Sequence, residues 1–282
     1  MTTGTILITG AGSGFGKLTS LTLAKLGYSL IATTETTRQA ALLQEDAQAL
    51  GIPLRIEKLD ITDSDDREKA WTWDVDILVN NAGVSEGGAL VDVPEKNFRH
   101  QYEVNVFGTL LLTQGFARQM VKKRSGRIIF ITSISGLMAN AFSGSYVSSK
   151  YALEGMASTL SQELMEHNVE VATVNHGPFL TGFNDEEFER YRNWPGKPES
   201  YTFNPEKLSF PLKQYEPKKA IAPTIRVILG LTKSYRNIVP KRFVPVVKGM
   251  QEFEWIRRAH WFLGNRHPMA QKSMKMEPAT RK

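Results

Sequence analysis

A tyrosine and a lysine stand four residues apart in "SGSYVSSKYALEG", residues 143–155. Helix positions i and i+4 share a face, so the Tyr146 phenol and the Lys150 ammonium address one small volume. A phenol with its ordinary pKa of about 10 is a poor base at neutral pH. A positive neighbour favours phenolate, so the spacing predicts a tyrosine acidified for proton transfer. Thirteen residues before Tyr146, Ser133 closes the run "GRIIFITS". The C-terminal end of a strand is the rim where open α/β sheets bind ligands. Asn105, in "YEVNVFGTL", sets an amide into an otherwise apolar helical face. Near the start, "TGAGSGFG" carries glycines at 10, 14 and 16 between a β-rich run and a helical one. Glycines there permit a tight turn and close backbone approach to a pyrophosphate, whose charge the helix N-terminus favours. The spacing is not G-x-G-x-x-G and no Gly-Lys-Ser/Thr follows, which excludes ordinary ATPase chemistry.

These residues need a scaffold, and the hydrophobic pattern supplies one. Runs at 5–9, 28–34, 54–60, 75–82, 126–133 and 169–175 read as strands nearly apolar on both faces, as expected for parallel strands covered by helices. Helix-period segments fall between them, at 14–27, 37–51, 62–71, 97–123 and 144–167. The alternation predicts βαβ crossovers and an open, doubly wound parallel α/β sheet with helices on both faces. Later segments predict a helix over 217–232, a strand over 237–243 and an amphipathic helix over 249–263. Without an internal repeat or linker, residues 1–264 read as one domain and 265–282 as a disordered basic tail.

The 282 residues are 41% apolar and 23% charged, the composition of an ordinary globular protein. No apolar run approaches the roughly 20 residues that span a bilayer. "TILITG" already reads as a strand from residue 5, so no secretory leader is expected and a cytoplasmic location is. The absence of cysteine excludes disulfides and thiolate chemistry. His100, His167, His176, His260 and His267 lack metal-site spacing, so no metal is expected. Residues 232–282 hold 12 Lys+Arg against 3 Asp+Glu. This segment has no nucleic-acid motif and no row of stacking aromatics, so no nucleic-acid partner is expected. The 249–263 helix is read as a subunit or domain contact in preference to a membrane-surface one.

"TGAGSGFG", "NNAG" (80–83) and Tyr146-x-x-x-Lys150 occur in the order and at spacings that resemble the short-chain dehydrogenase/reductase family, over roughly residues 5–181. The resemblance implies a Rossmann-like fold, a nicotinamide cofactor, and a catalytic tetrad of Asn105, Ser133, Tyr146 and Lys150. In that scheme Ser133 holds the substrate oxygen, Tyr146 moves the proton, Lys150 holds the nicotinamide ribose and Asn105 anchors a water. Cofactor contacts carried over are Gly10, Ser13, Gly14, Phe15 and Gly16 in the glycine loop, and Thr34 and Glu35 after the second strand. Asp60, Ile61, Asn81, Ala82 and Gly83 follow, then Tyr146, Lys150, Pro178, Phe179 and Thr181. Glu35 suits a ribose 2′-OH and repels a phosphate, favouring NAD over NADP, with Arg38 the opposing signal. Two departures stand out: His176 replaces the proline usual before Gly177, and the short span from Asp60 to Asp76 leaves a short helix. Homodimers or homotetramers, paired through the 97–123 and 144–167 helices, are also implied.

Residues 179–215 carry nine aromatics among prolines and charges, in the place where the family builds its variable lid. A helical substrate lid is expected there. Phe179, Phe183 and Trp194 form one apolar wall, and Met138 and Phe142 the other, beside Ser133 and Tyr146. The substrate expected is a hydrophobic ketone, aldehyde or secondary alcohol. The alternative for the aromatics is a second small core, and "DEEFE" (185–189) reads as the wet face of the lid helix. A non-catalytic NAD(P)-binding sensor is the competing function; it would not require Tyr146 and Lys150 together.

Overall fold

The computed structural model describes residues 4–195 and 200–252. Seven parallel strands form one sheet: β1 (Ile6–Ile8), β2 (Leu30–Thr34), β3 (Arg55–Lys58), β4 (Ile77–Asn80), β5 (Gly126–Ser133), β6 (Val169–His176) and β7 (Arg236–Val239). Their order is β3-β2-β1-β4-β5-β6-β7, every neighbour pair parallel. The expected strands are all present, and the last is shorter than predicted because Pro240 and a 3-10 turn at Lys241–Phe243 follow it.

Nine α-helices cover the sheet among the described residues: α1 (Gly14–Lys25), α2 (Thr37–Ala49), α3 (Ser64–Ala70), α4 (Glu95–Tyr102), α5 (Thr109–Lys123), α6 (Gly144–Glu163), α7 (Phe183–Arg192), α8 (Lys218–Ile228) and α9 (Val244–Glu252). Because strand side chains alternate, Ile6 and Ile8 join one core with Leu23 of α1 and Ile225 of α8, while Leu7 joins another with Phe116 of α5 and Leu153 of α6. Both faces of the inner strands are therefore dry, which explains their lack of polar alternation, while the edge strands β3 and β7 are partly exposed and carry Arg55, Glu57, Lys58, Arg236 and Asn237. α3 has only seven residues, as the Asp60–Asp76 span requires, and its N-cap Asp63 accepts from the Asp66 N–H at 3.0 Å.

The expected helix over 97–123 is not continuous. A π-helical stretch at Glu103–Gly108 separates α4 from α5, and Asn105 sits in it. Such insertions concentrate at functional sites. The predicted 249–263 helix begins earlier, as α9, and its remainder and the 265–282 tail lie outside the described residues.

β1 lies between β2 and β4, so the chain's direction of winding reverses there. Ligands of open α/β sheets bind outside the strand C-termini at this switch point. The glycine turn follows β1 and Asn81 follows β4, so both sequence signals meet at that crevice.

Candidate active site

A cavity of about 310 Å³ runs along this rim from Glu35 and Gln39 to Tyr146 and Phe183. Its floor at one end is the glycine turn. Gly10 has φ +65°, and a Cβ there would meet Ala82 Cα at 2.7 Å. A Cβ on Gly16 would fall 2.3 Å from the Gly10 carbonyl oxygen, so only glycine lets α1 start so close beneath the turn. The Asn81 amide donates to the Thr9 carbonyl (2.8 Å) and the Gly10 carbonyl (3.1 Å), and Thr9 Oγ1 accepts from the Asn81 and Ala82 N–H groups, both at 3.0 Å. The turn is thereby stapled to the β4 loop. This cradle, open at the N-terminus of α1, fits the diphosphate of a dinucleotide.

Of the expected cofactor residues, Gly10, Ser13, Gly14, Phe15, Glu35, Asp60, Ile61, Asn81, Ala82, Gly83, Phe179 and Thr181 line the cavity. Gly16, Thr34 and Pro178 do not. Gly16 acts from below; Thr34 is fully buried, its hydroxyl donating to the Thr36 carbonyl at 3.0 Å, and leaves Glu35 on the rim. Asp60 accepts from the Thr62 N–H (2.9 Å) and hydroxyl (2.7 Å). Gln39 and His176 also line the cavity and were not among the expected contacts. Gln39 was legible through its capping box with Thr36.

At the other end, Ser133, Tyr146 and Lys150 converge. The Ser133 hydroxyl accepts from the Ser135 N–H (3.1 Å) and donates to the His176 carbonyl (3.3 Å). Lys150 Nζ lies 5.5 Å from the Tyr146 ring centroid and donates to the Ile131 carbonyl at 3.3 Å. Asn105 does not reach the cavity. It is fully buried, donating to the Val84 carbonyl (3.0 Å) and Ser149 Oγ (3.1 Å) and accepting from the Val84 N–H (2.8 Å). Its amide thus ties the cavity wall to the residue before Lys150. Between them lies Gly83, whose Cβ would stand 3.2 Å from Asn105 Oδ1 and 3.7 Å from Lys150 Nζ.

The expected acidification of Tyr146 is not found in the protein alone. Burial pushes the phenol above its ordinary value, and the Ser133 hydrogen bond, which pulls it down, does not offset this. Lys150 is itself brought down to about 8 by burial, against the pull of Glu154. His176 falls to about 3, chiefly through burial and then the charge of Lys150, so its ring is neutral. It stacks on Phe15 at 4.0 Å between centroids, and its Nε2 pairs with Thr224 Oγ1 at 2.9 Å.

The aromatic segment is divided between cavity and core. Phe179 and Phe183 line the cavity, with Phe183 edge-on to Tyr146 at 5.6 Å. Trp194 and Phe142, expected as walls, lie instead in a separate cluster with Phe188, Tyr191, Tyr201 and Leu208. Met138 packs with Ile134, Leu137 and Val247, also away from the cavity. The "DEEFE" run is not uniformly wet. Glu187 is buried, and loss of water pushes it up to about 7 despite the Ser143 and Ser85 hydroxyls, with Glu86 adding to the rise. A missed feature is Gly87-Gly88, where Cβ atoms would meet Glu187 O at 2.7 Å and Trp194 at 2.6 Å; this pair lets α7 dock. Among the described residues, no group of acids and histidines is arranged to hold a metal.

Comparison with known proteins agrees with this geometry. Residues 4–192 match the family described as short chain dehydrogenase. The Bacillus subtilis protein named uncharacterized oxidoreductase YusZ is 35% identical, over 69% of this chain and 72% of its own. The 3-ketodihydrosphingosine reductase of Bacteroides thetaiotaomicron is 34% identical, over 64% of this chain and 65% of its own. A crystal structure of a Streptomyces avermitilis short-chain dehydrogenase aligns with TM-score 0.72 at 25% identity, covering 95% of this chain and 100% of that one. The glycine cradle, the switch-point cavity and these matches lead to one identification: the chain belongs to the short-chain dehydrogenase family and is an NAD(P)-dependent oxidoreductase acting on a CH–OH/C=O group.

Proposed function

We propose that this enzyme reduces a hydrophobic ketone or aldehyde, with Tyr146 delivering the proton, Ser133 holding the substrate oxygen and Lys150 and Asn105 completing the tetrad. The observation that carries the reading is the single cavity joining the glycine turn to Ser133, Tyr146 and Lys150. A nicotinamide dinucleotide, when bound, supplies the hydride. The chain's own residues orient and protonate. A protonated phenol is an acid toward a developing alkoxide, which is the role this reading gives Tyr146 in carbonyl reduction. Phe179 and Phe183 give the substrate end an apolar wall, in keeping with a relative named for a keto group on dihydrosphingosine. A panel of ketones and alcohols, read by dinucleotide absorbance, tests this. Tyr146→Phe lowers kcat by about a thousandfold while dinucleotide affinity survives; a variant with full turnover would end the assignment.

NAD is the preferred cofactor in this reading. Glu35 stands exposed on the cavity rim, where its carboxylate repels a 2′-phosphate, and Arg38 does not line the cavity. Titration of both reduced cofactors should give NADH about tenfold tighter binding, a difference near 1.4 kcal/mol. The reverse order would refute it. The exposed Phe107 and Leu111 on the outer side of the α4–α5 stretch support self-association into a dimer or tetramer, which light scattering measures.

A further inference from the structure

Directly behind Lys150 lies a buried polar layer that the reaction as described does not use. Glu154, one turn further along α6, is 5% exposed. Its Oε1 accepts from Thr132 Oγ1 on β5 and Asn175 Nδ2 on β6, both at 2.6 Å. Its Oε2 accepts from Arg236 on β7, from NH2 at 3.0 Å and Nε at 3.3 Å. Asn175 Nδ2 also donates to Thr132 Oγ1 at 2.7 Å, and the Thr173 hydroxyl donates to Asn175 Oδ1 at 3.1 Å. Three consecutive residues of β5 thus face the same assembly: the Ile131 carbonyl takes Lys150, the Thr132 hydroxyl takes Glu154, and Ser133 lines the cavity. A carboxylate enclosed in a sheet end is costly unless every lone pair is engaged. Here both oxygens are engaged, and three strands converge to do it.

We propose that Glu154, one turn beyond Lys150 on the same face of α6 and held by Thr132, Asn175 and Arg236, is the positioning residue whose buried carboxylate keeps the Lys150 ammonium charged. The role rests on the reading of Lys150 as part of the catalytic tetrad. Lys150 sits where burial alone would favour the neutral amine, and the charges around it are few. Tyr146 and Glu154 face it from α6, and neutral His176 from β6; Arg236, from β7, reaches it only through Glu154. Glu154 is the anion in that set. Arg236, whose side chain is 40% exposed, tempers the carboxylate from the solvent side. The two residues therefore act on Lys150 with opposite sign.

That opposition is the test. Lys150 is titrated by competitive acetylation with acetic anhydride across a pH series, the extent at Lys150 being read by mass spectrometry of its peptide. The protein carries no substrate or cofactor in this experiment, so its outcome is separable from that of Tyr146→Phe. Glu154→Gln lowers the Lys150 midpoint by about one pH unit, which is about tenfold in the charged fraction above it. Arg236→Gln, where water replaces a half-exposed guanidinium, raises the midpoint. Melting temperatures are taken in parallel. A merely structural Glu154 would lower the melting temperature and leave the Lys150 midpoint in place, and that result would overturn the proposal. If Glu154→Gln fails to fold, Arg236→Gln still decides, because an unmoved or lowered midpoint there is equally fatal.

Discussion

The two ends of the cavity are built from different material. Around Gly10 the wall is backbone: a turn at positive φ, a helix start that tolerates no Cβ at residue 16, and an Asn81 amide that staples two loops. Across the site, the excursion from Thr181 to Gln214 is built from side chains. Its ends are pinned where the Leu180 N–H donates to the Tyr215 carbonyl (2.8 Å) and the Tyr215 N–H to the Pro178 carbonyl (3.0 Å). Between those pins, Phe188, Tyr191, Trp194 and Tyr201 form their own small core over Ala89 and Phe142. The Trp194 and Tyr191 rings meet at 4.5 Å, and the indole N–H donates to Glu86 Oε2 at 3.3 Å. A backbone cradle suits a ligand shared across a family. A separately packed side-chain cluster can be rebuilt without disturbing it, which suits the part of a site that varies.

If the two ends are independent in this way, their lesions should separate. Gly16→Ala carries the largest effect. Its Cβ has no room against the Gly10 carbonyl, so α1 must move off the turn and dinucleotide affinity falls about a thousandfold, near 4 kcal/mol. Fluorescence titration measures it, and affinity within a few-fold of the parent would mean that the cradle is softer than its contacts imply. Trp194→Ala comes next. Losing a buried indole from a small core costs about 3–4 kcal/mol of local stability. Hydrogen exchange over 183–208 should rise and KM for the carbonyl substrate should change, with dinucleotide affinity constant. Coupled loss of both affinities would break the comparison.

Glu187→Gln is the smallest and depends on pH. The folded-state pKa, about 7, is raised above the ordinary 4.5, so folding favours the protonated acid. The stabilisation is complete below the ordinary value and is lost as pH rises through about 7. The glutamine variant, permanently neutral, should match the parent in acid and exceed it by at most about 3 kcal/mol in alkali. Protection of the 183–208 segment against proteolysis, compared on both sides of neutrality, measures this. Parallel pH profiles for parent and variant would show that Glu187 is solvated.

Much of the cradle is legible in the sequence, because its requirements are local. A glycine triplet after an apolar strand reports a backbone problem solved within a few residues, and Tyr146 and Lys150 share a face through helix geometry alone. Glu154 extends that face by one more turn, a signal present in the chain but mute until β6 and β7 bring Asn175 and Arg236 to it. Asn105 was visible as an amide in an apolar face; that it sits in a π-helical stretch, clamping Val84 instead of lining the cavity, was not. Phe142 and Trp194 join the separate aromatic cluster and Met138 packs with Ile134, Leu137 and Val247, because apolar content identifies a buried surface but not which of several neighbouring clusters it joins.

By itself the sequence determined the alternation of strands and helices, the doubly wound sheet, the glycine turn and the pairing of a phenol with an ammonium, since each follows from periodicities and φ/ψ limits a few residues long. Only the tertiary structure decided which aromatics face the site, why Glu187 is dry, and that the phenol's pKa rises instead of falling. Those depend on how much water is excluded by elements distant in the chain, and exclusion of water is a property of the assembled packing.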